Sequence, residues 1–116
     1  MRFNGIEDDD PIPTYVALAQ EIAQLNPAYL HVMRTGIGAE AALRDAFPGK
    51  LLVGGGFVKE EANRFLAEGR ADAIVFGSSY IANPNLVARL EHDTPLTPPD
   101  PSTFYTPGPK GYTELA

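Results

Sequence analysis

The chain is short and acidic, and its composition excludes several classes of protein. It has 116 residues, of which 44% are apolar, so one small domain can bury a core. Lys and Arg number 9 against 15 Asp and Glu, which gives a formal net charge of -6. This balance argues against a nucleic-acid-binding surface, because such surfaces need clustered Lys and Arg.

The absence of cysteine and of long apolar segments excludes further classes of protein. The sequence contains no cysteine, which excludes a disulfide framework, a thiolate metal site and a thiolate nucleophile. No apolar run approaches the ~18 residues of a membrane-spanning helix. The first residues also lack the apolar core of a secretory signal. We therefore expect a cytoplasmic protein without a membrane segment.

An acidic run at residues 7–10 precedes the first predicted helix. We interpret it as an acidic first turn that complements the helix dipole. A metal site is the less favoured alternative, because contiguous acids usually form a solvated face, and no metal ligands are predicted. Helical spacing of apolar residues predicts the helix over residues 13–25, and Asn26-Pro27 ends it. The predicted buried face comprises Tyr15, Leu18, Ala19, Ile22 and Leu25.

Residues 29–33 form the first predicted strand. Their nearly continuous apolar character is typical of a parallel strand that is covered on both faces. His31 lies within it and has two interpretations, a general base or ligand in a site, or a packed, hydrogen-bonded core histidine. We favour the core histidine, because no second His, Asp or Cys lies at ligand spacing. A loop and a short helix over residues 39–47 follow.

Two successive strand–helix units dominate the middle of the chain. Strands are predicted at 51–54 and 73–76, with helices at 58–68 and 84–91, the last beginning at Asn83 as N-cap and Pro84. This order predicts an α/β fold with a parallel sheet. Both strands end in glycine, which permits a sharp turn with exposed N–H groups. Two such turns side by side would cradle a phosphate. The candidate cradle comprises Gly55, Gly56, Gly77 and Ser78.

The sequence changes in character after residue 93. Six prolines beyond that point predict an irregular tail. The tail also carries Phe104, Tyr105 and Tyr112, and such aromatic residues usually attach a tail to a folded body. We therefore predict two parts, a body at 1–93 and a packed tail at 94–116.

Several motifs, in order along nearly the whole chain, resemble the Old Yellow Enzyme family. Residues 76–86, FGSSYIANPNL, resemble the family signature FGRxFIANPDL. The tail segments 100–105, DPSTFY, and 111–113, GYT, resemble the family's C-terminal region. Further matches are FNGIE at 3–7, YLH at 29–31 and GGGF at 54–57. Together these motifs are far more specific than any one alone.

This resemblance implies a fold and a cofactor. The family consists of FMN-dependent (β/α)₈ barrels that reduce activated alkenes with NADPH or NADH. A complete barrel needs ~250 residues, so the chain resembles only about strands six to eight plus the tail. The resemblance implies that Gly55, Gly56, Gly77 and Ser78 hold the FMN phosphate. It also implies that Tyr105 lies against flavin and substrate; packing of Tyr105 on the barrel rim is the compatible alternative.

The sequence departs from the family pattern in ways that leave its activity open. Ser78 replaces the family arginine, which pairs bidentately with phosphate; Arg34 and Lys59 are candidate substitutes. The loop after strand six is also shorter than the family pattern. The segment that carries the substrate-binding His/Asn pair and the tyrosine proton donor has no counterpart here, so no catalytic residue is predicted. We expect self-association, or a partner chain that completes the barrel.

Three functional hypotheses remain open from the sequence. The first is the FMN-phosphate-binding portion of an ene-reductase, inactive alone. The second is a non-catalytic remnant or assembly module without flavin. The third, a phosphate-binding fragment of another barrel family, is disfavoured by the tail motifs.

Overall fold

The computed structural model describes residues 8–34, 36 and 38–114, and the chain divides into two compact units. The first extends to Val75 and the second begins at Phe76. The predicted boundary at residue 93 separates a body from an irregular tail, not two compact units, and it stays a prediction. None of the helices in the described ranges is both long and apolar enough to cross a membrane.

The first unit is an α/β structure built on a three-stranded parallel sheet. The strands lie in the order β1–β2–β3, and both neighbouring pairs are parallel. Three helices connect or precede them. In chain order the elements are α1 (Pro11–Gln24), β1 (Leu30–Met33), α2 (Ala39–Ala46), β2 (Leu51–Gly54), α3 (Lys59–Ala67) and β3 (Ala73–Val75). The predicted α/β class and the parallel order of the strands are confirmed.

One face of this sheet carries the core. In register, Leu30 pairs with Leu51 and Val32 with Val53, so all four side chains share a face. Val32, Leu51 and Val53 are at most 2% exposed. On the other face Gly54 is buried, but the residues with side chains are half-buried or exposed; they include His31, Leu52, Ala73 and Val75, with Met33 at 63% exposure. The sheet therefore has one covered and one open face.

Helix α1 packs on the covered face through part of its predicted stripe. Tyr15 and Ala19 are buried, and they line a small cavity with Leu30 and Val32 of β1. Leu25 was predicted on this face, but it is 80% exposed because α1 ends at Gln24.

The acidic run does not form the first helical turn. Helix α1 begins at Pro11, earlier than predicted. The described acids, Asp8 to Asp10, all precede this residue, so the first turn contains no acid. Asp8 instead accepts a hydrogen bond from the Tyr15 hydroxyl, which raises the pKa of Tyr15 to about 12. Glu7 lies outside the described residues.

The second unit contains two short helices and the tail. Helix α4 (Ser78–Ala82) was not predicted, and α5 (Leu86–Glu91) begins two residues later than expected. The prediction that Asn83 is the N-cap of the last helix is wrong. Asn83 follows α4 as its C-cap and is only 1% exposed. Its Nδ2 donates to the backbone oxygens of Ser79 and Thr97, both at 2.9 Å. The Thr97 N–H donates to Asn83 Oδ1 at 2.8 Å, so this side chain fastens the start of the tail to α4.

The tail is largely irregular, as predicted. Residues 94–100 have no regular structure, and a short 3₁₀ helix follows at Pro101–Thr103. An isolated bridge joins Lys110 to Glu114. Within the second unit, Arg89 of α5 donates to the Pro95 carbonyl at 2.7 Å, which adds a second attachment between helix and tail.

Candidate functional site

The two predicted glycine turns each follow a strand of the parallel sheet, and they belong to different units. Gly55 and Gly56 follow β2 directly. Gly77 follows β3 after one residue and is the N-cap of α4, whose first residue is Ser78. Gly77 and Ser78 are both exposed.

The Gly55–Gly56 turn has a backbone that favours glycine at both positions. Gly55 has φ of +117° and Gly56 has φ of +70°. A Cβ on Gly55 would lie 3.0 Å from the Arg34 carbonyl oxygen and 3.1 Å from Arg34 Cγ. A Cβ on Gly56 would have no atom within 4 Å. Gly55 therefore packs against Arg34, whereas Gly56 faces open space that a ligand can approach.

Arg34, at the end of β1, binds this turn through its guanidinium group. Its Nε donates to the Gly55 carbonyl at 2.8 Å, and its Nη2 donates to the Gly56 carbonyl at 3.1 Å. Both terminal nitrogens also bind the carboxylate of Glu61 in α3, at 2.5 and 2.8 Å. One side chain thus connects the end of β1, the turn after β2 and the following helix.

Two buried aromatic rings surround the guanidinium group. Its Cζ lies 3.9 Å from the ring centroid of Phe57 and 5.9 Å from that of Phe65. The two rings pack edge to face at a centroid distance of 4.8 Å and are at most 5% exposed. Stacking on an aromatic face attracts a cation, so the rings and Glu61 fix Arg34 from different sides. The Arg34 hydrogen bond is the main reason that the pKa of Glu61 is lowered.

Two backbone N–H groups of the turn are not used within the part of the chain that the structure describes. The N–H groups of Gly56 and Phe57 have no acceptor among the residues that the structure describes. Next to Gly55 lies an open cleft, lined also by Arg34, Gly36, Gly38 and the buried Glu40. Unused N–H groups beside an open glycine are the donors that a phosphate needs. This turn therefore fits a phosphate group by its backbone, but it offers no free positive charge of its own.

The other candidate residues show a mixed outcome. Tyr105 is 98% exposed, and both of its interpretations, contact with flavin and packing on a barrel rim, stay predictions. His31 is exposed, and its interpretation as a packed core histidine is wrong, because it projects from the open face of the sheet. Among the described residues, no three His, Asp or Glu side chains are grouped as metal ligands.

Sequence reasoning missed the pairing of Arg34 with Glu61. The two residues are 27 positions apart, a separation that no helix or strand period connects. The only signal available was an arginine placed directly after a predicted strand, at the end where parallel-sheet sites form. Arg34 was considered as a phosphate ligand, and the structure instead commits it to Glu61 and the turn.

Comparison with known proteins gives a consistent group of relatives, although no family model matches the chain. A probable flavin mononucleotide-dependent alkene reductase of Leishmania infantum is 39% identical over 97% of this chain and 32% of its own length. A 12-oxophytodienoate reductase-like protein of Solanum lycopersicum is 37% identical over 97% of this chain and 33% of its length. The chain thus spans about a third of these curated relatives.

Solved structures give the same result. The old yellow enzyme from Trypanosoma cruzi matches with a TM-score of 0.88 and 36% identity, over 97% of this chain and 31% of that one. A morphinone reductase in complex with tetrahydroNAD matches with a TM-score of 0.83 and 34% identity, over 100% of this chain and 33% of that one. Sequence and structure therefore agree on one group of reductases, one of which is named as flavin mononucleotide-dependent.

Proposed function

We propose that this chain, which belongs to the Old Yellow Enzyme family, provides the phosphate-binding part of an FMN-dependent reductase of activated carbon–carbon double bonds. The observation that carries the proposal is the open turn at Gly56, with the N–H groups of Gly56 and Phe57 unused in the described part of the chain. A relative over 97% of this chain is named as a flavin mononucleotide-dependent alkene reductase.

The proposal includes the position of these elements in a larger barrel. The three parallel strands correspond to about strands six to eight of a (β/α)₈ barrel, followed by the tail. Phosphate sites of such barrels lie in the loops after strands seven and eight. Gly55 and Gly56 would then form the first of these loops, and Gly77 and Ser78 the second.

The role of this chain is to bind and orient. Backbone N–H groups of the Gly55–Gly56 turn would hold the phosphate, and the exposed ring of Tyr105 would supply an apolar wall beside flavin and substrate. Bound FMN would supply the hydride-transfer chemistry, with NAD(P)H as the reductant. No residue among these 116 matches the family's substrate-binding pair or proton donor. The chain alone is therefore expected not to reduce cyclohexenone faster than free FMN does.

One observation favours a second candidate, a non-catalytic assembly module. Ser78 stands where the family signature has arginine, and the guanidinium of Arg34 is already bound by Glu61. The open face of the sheet, with Met33 at 63% exposure, would then serve association with a second copy or with a chain that carries further strands. Size-exclusion chromatography with light scattering tests this candidate, and a stable monomer would contradict it.

Two glycines with nearly the same φ provide a matched test of phosphate binding. Gly56 has φ of +70° and Gly69, beyond the opposite end of α3, has φ of +69°, and a methyl group on either glycine would have no atom within 4 Å. Alanine at either position therefore has a similar conformational cost. Only Gly56→Ala would place a methyl group in the proposed phosphate position.

The measurement is FMN binding by calorimetry and flavin fluorescence on the full chain. We expect weak binding by the wild type and by Gly69→Ala, and no detectable binding by Gly56→Ala. Equal binding by all three proteins would contradict a phosphate site at this turn. Absence of binding by the wild type would favour the non-catalytic candidate.

A further inference from the structure

The guanidinium group of Arg34 has almost no capacity left for a ligand. Arginine has five N–H donors, and four are used here, two by Glu61 and one each by the carbonyls of Gly55 and Gly56. A bidentate bond to phosphate needs two free donors on one edge. Arg34 therefore does not replace the missing family arginine as a phosphate ligand, and its contacts require another explanation.

The contacts with the turn determine where its amide groups point. Every peptide bond in the described chain is trans, so the carbonyl of one residue and the N–H of the next point in opposite directions. Arg34 draws the carbonyls of Gly55 and Gly56 toward its guanidinium. The N–H groups of Gly56 and Phe57 are consequently directed away from Arg34. These are the two donors that have no acceptor in the described part of the chain.

The guanidinium is itself held in place. Glu61 binds it through both carboxylate oxygens, and the Phe57 ring lies 3.9 Å beneath it. The side chain of Arg34 is 21% exposed, so solvent reaches only part of it. A glycine pair has high conformational freedom on its own. A fixed cation bound to both of its carbonyls would remove that freedom before any ligand arrives.

From this geometry we infer that Arg34 is a positioning residue, which binds the carbonyls of the Gly55–Gly56 turn so that the Gly56 and Phe57 N–H groups are preorganised for a phosphate. The identity of the ligand as a phosphate rests on the proposed function. The ordering of the turn by Arg34 does not depend on it. Glu61 has a supporting part, because it keeps the guanidinium fork in the orientation that reaches both carbonyls. The ligand class is a phosphate monoester, of which inorganic phosphate and FMN are the probes.

The chain offers a closely matched control in Arg44. Arg44 also pairs with a carboxylate, Asp72, at 2.9 Å, and also donates to two backbone carbonyls, those of Phe47 and Gly49. Its side chain is 21% exposed, the same fraction as that of Arg34. It binds the loop before β2, whereas Arg34 binds the turn after β2. Arg44→Gln therefore removes an equivalent set of contacts at the other end of the strand.

The experiment uses ¹⁵N-labelled full chain as wild type, Arg34→Gln, Arg34→Lys and Arg44→Gln. Backbone order parameters are measured without ligand, and dissociation constants for inorganic phosphate and FMN are then measured by titration. In Arg34→Gln the order parameter of Gly56 should fall from a rigid value of about 0.85 to below about 0.6. Its dissociation constants should rise about tenfold or more, because charge-assisted hydrogen bonds that orient the donors are lost.

The control and the lysine variant complete the test. Arg44→Gln should leave the order parameter of Gly56 at its wild-type value. It should also leave both dissociation constants within about twofold of the wild type, below the tenfold rise expected for Arg34→Gln. Arg34→Lys keeps the charge but loses the fork, so it should resemble Arg34→Gln; it also decides the question if Arg34→Gln does not fold.

Two results would overturn the inference. One is a folded Arg34 variant whose Gly56 order and phosphate affinity equal those of the wild type. The other is an Arg44→Gln protein that shows the same losses, since the effect would then be general destabilisation. A wild type that binds neither probe, with Gly56 loosened only by the Arg34 variants, would refute the proposed function and support the positioning role.

Discussion

Gly55→Ala is the substitution that probes the packing of the glycine turn most directly. The new methyl group would lie 3.0 Å from the Arg34 carbonyl oxygen, 3.1 Å from Arg34 Cγ and 3.3 Å from the Arg34 amide nitrogen. Two of these atoms belong to the backbone of the residue that follows β1, so they have little freedom to move. The φ of +117° is also one that side chains other than glycine's rarely adopt.

The expected loss of stability is the sum of two contributions. A strained backbone of this kind costs about 1–3 kcal/mol. Crowding against fixed atoms costs about 1–3 kcal/mol more. Gly55→Ala should therefore lower the free energy of unfolding by about 2–6 kcal/mol, a large part of the total for a small domain. Gly56→Ala has only the left-handed backbone cost of about 1–2 kcal/mol, because its methyl group would meet open space.

Urea denaturation of the wild type and both variants measures the difference. We expect a lower midpoint for Gly55→Ala than for Gly56→Ala, with an unchanged dependence on urea. If Gly55→Ala were as stable as Gly56→Ala, the turn would not pack closely on Arg34.

Three further predictions concern other sites. Asn83→Ala should lower the free energy of unfolding by about 2–3 kcal/mol in urea melts, because three hydrogen bonds of a buried side chain are lost; Asn63→Ala, on an exposed residue of α3, is the control. Hydrogen bonds from the Leu51 N–H and from an arginine lower the pKa of Asp72. The ionised Asp72 carboxylate therefore stabilises the fold above the ordinary aspartate pKa of about 3.9, and this stabilisation is lost as the pH falls below that value. Asp72→Asn should consequently make the free energy of unfolding less dependent on pH in the acid range. Ser78→Arg should tighten FMN binding about tenfold or more in calorimetry, by adding a charge-assisted bond of about 1.5–3 kcal/mol, whereas Ser78→Ala should not.

The strands and their order were predictable because their signals are local. Each strand is a short apolar run bounded by glycine or polar residues, and two helices between them dictate a parallel arrangement. The observed strands agree with the predicted ones to within one residue. The same local signals also placed Gly55 and Gly56 directly after β2.

The features that the sequence did not reveal depend on distant partners. Asn83-Pro84 has the local pattern of a helix start, but the Asn83 side chain bonds to Thr97, which is 14 residues away. These tertiary hydrogen bonds outweigh the capping preference, and helix α5 begins beyond Pro84. Arg34 and Glu61 are likewise joined only by the fold. Periodicity and turn chemistry carry no information about such pairs.

The charge balance around the Gly55–Gly56 turn determines how it can hold an anion. The charge of Arg34 is matched by Glu61 at 2.5 Å, and the buried Glu40 lines the same cleft. The turn therefore presents neutral N–H donors, and such donors bind a phosphate less strongly than cations do. Arg34 orders the donors without adding net attraction. If Ser78→Arg tightens FMN binding as predicted, the gain should shrink as ionic strength rises, because exposed charges are screened by salt.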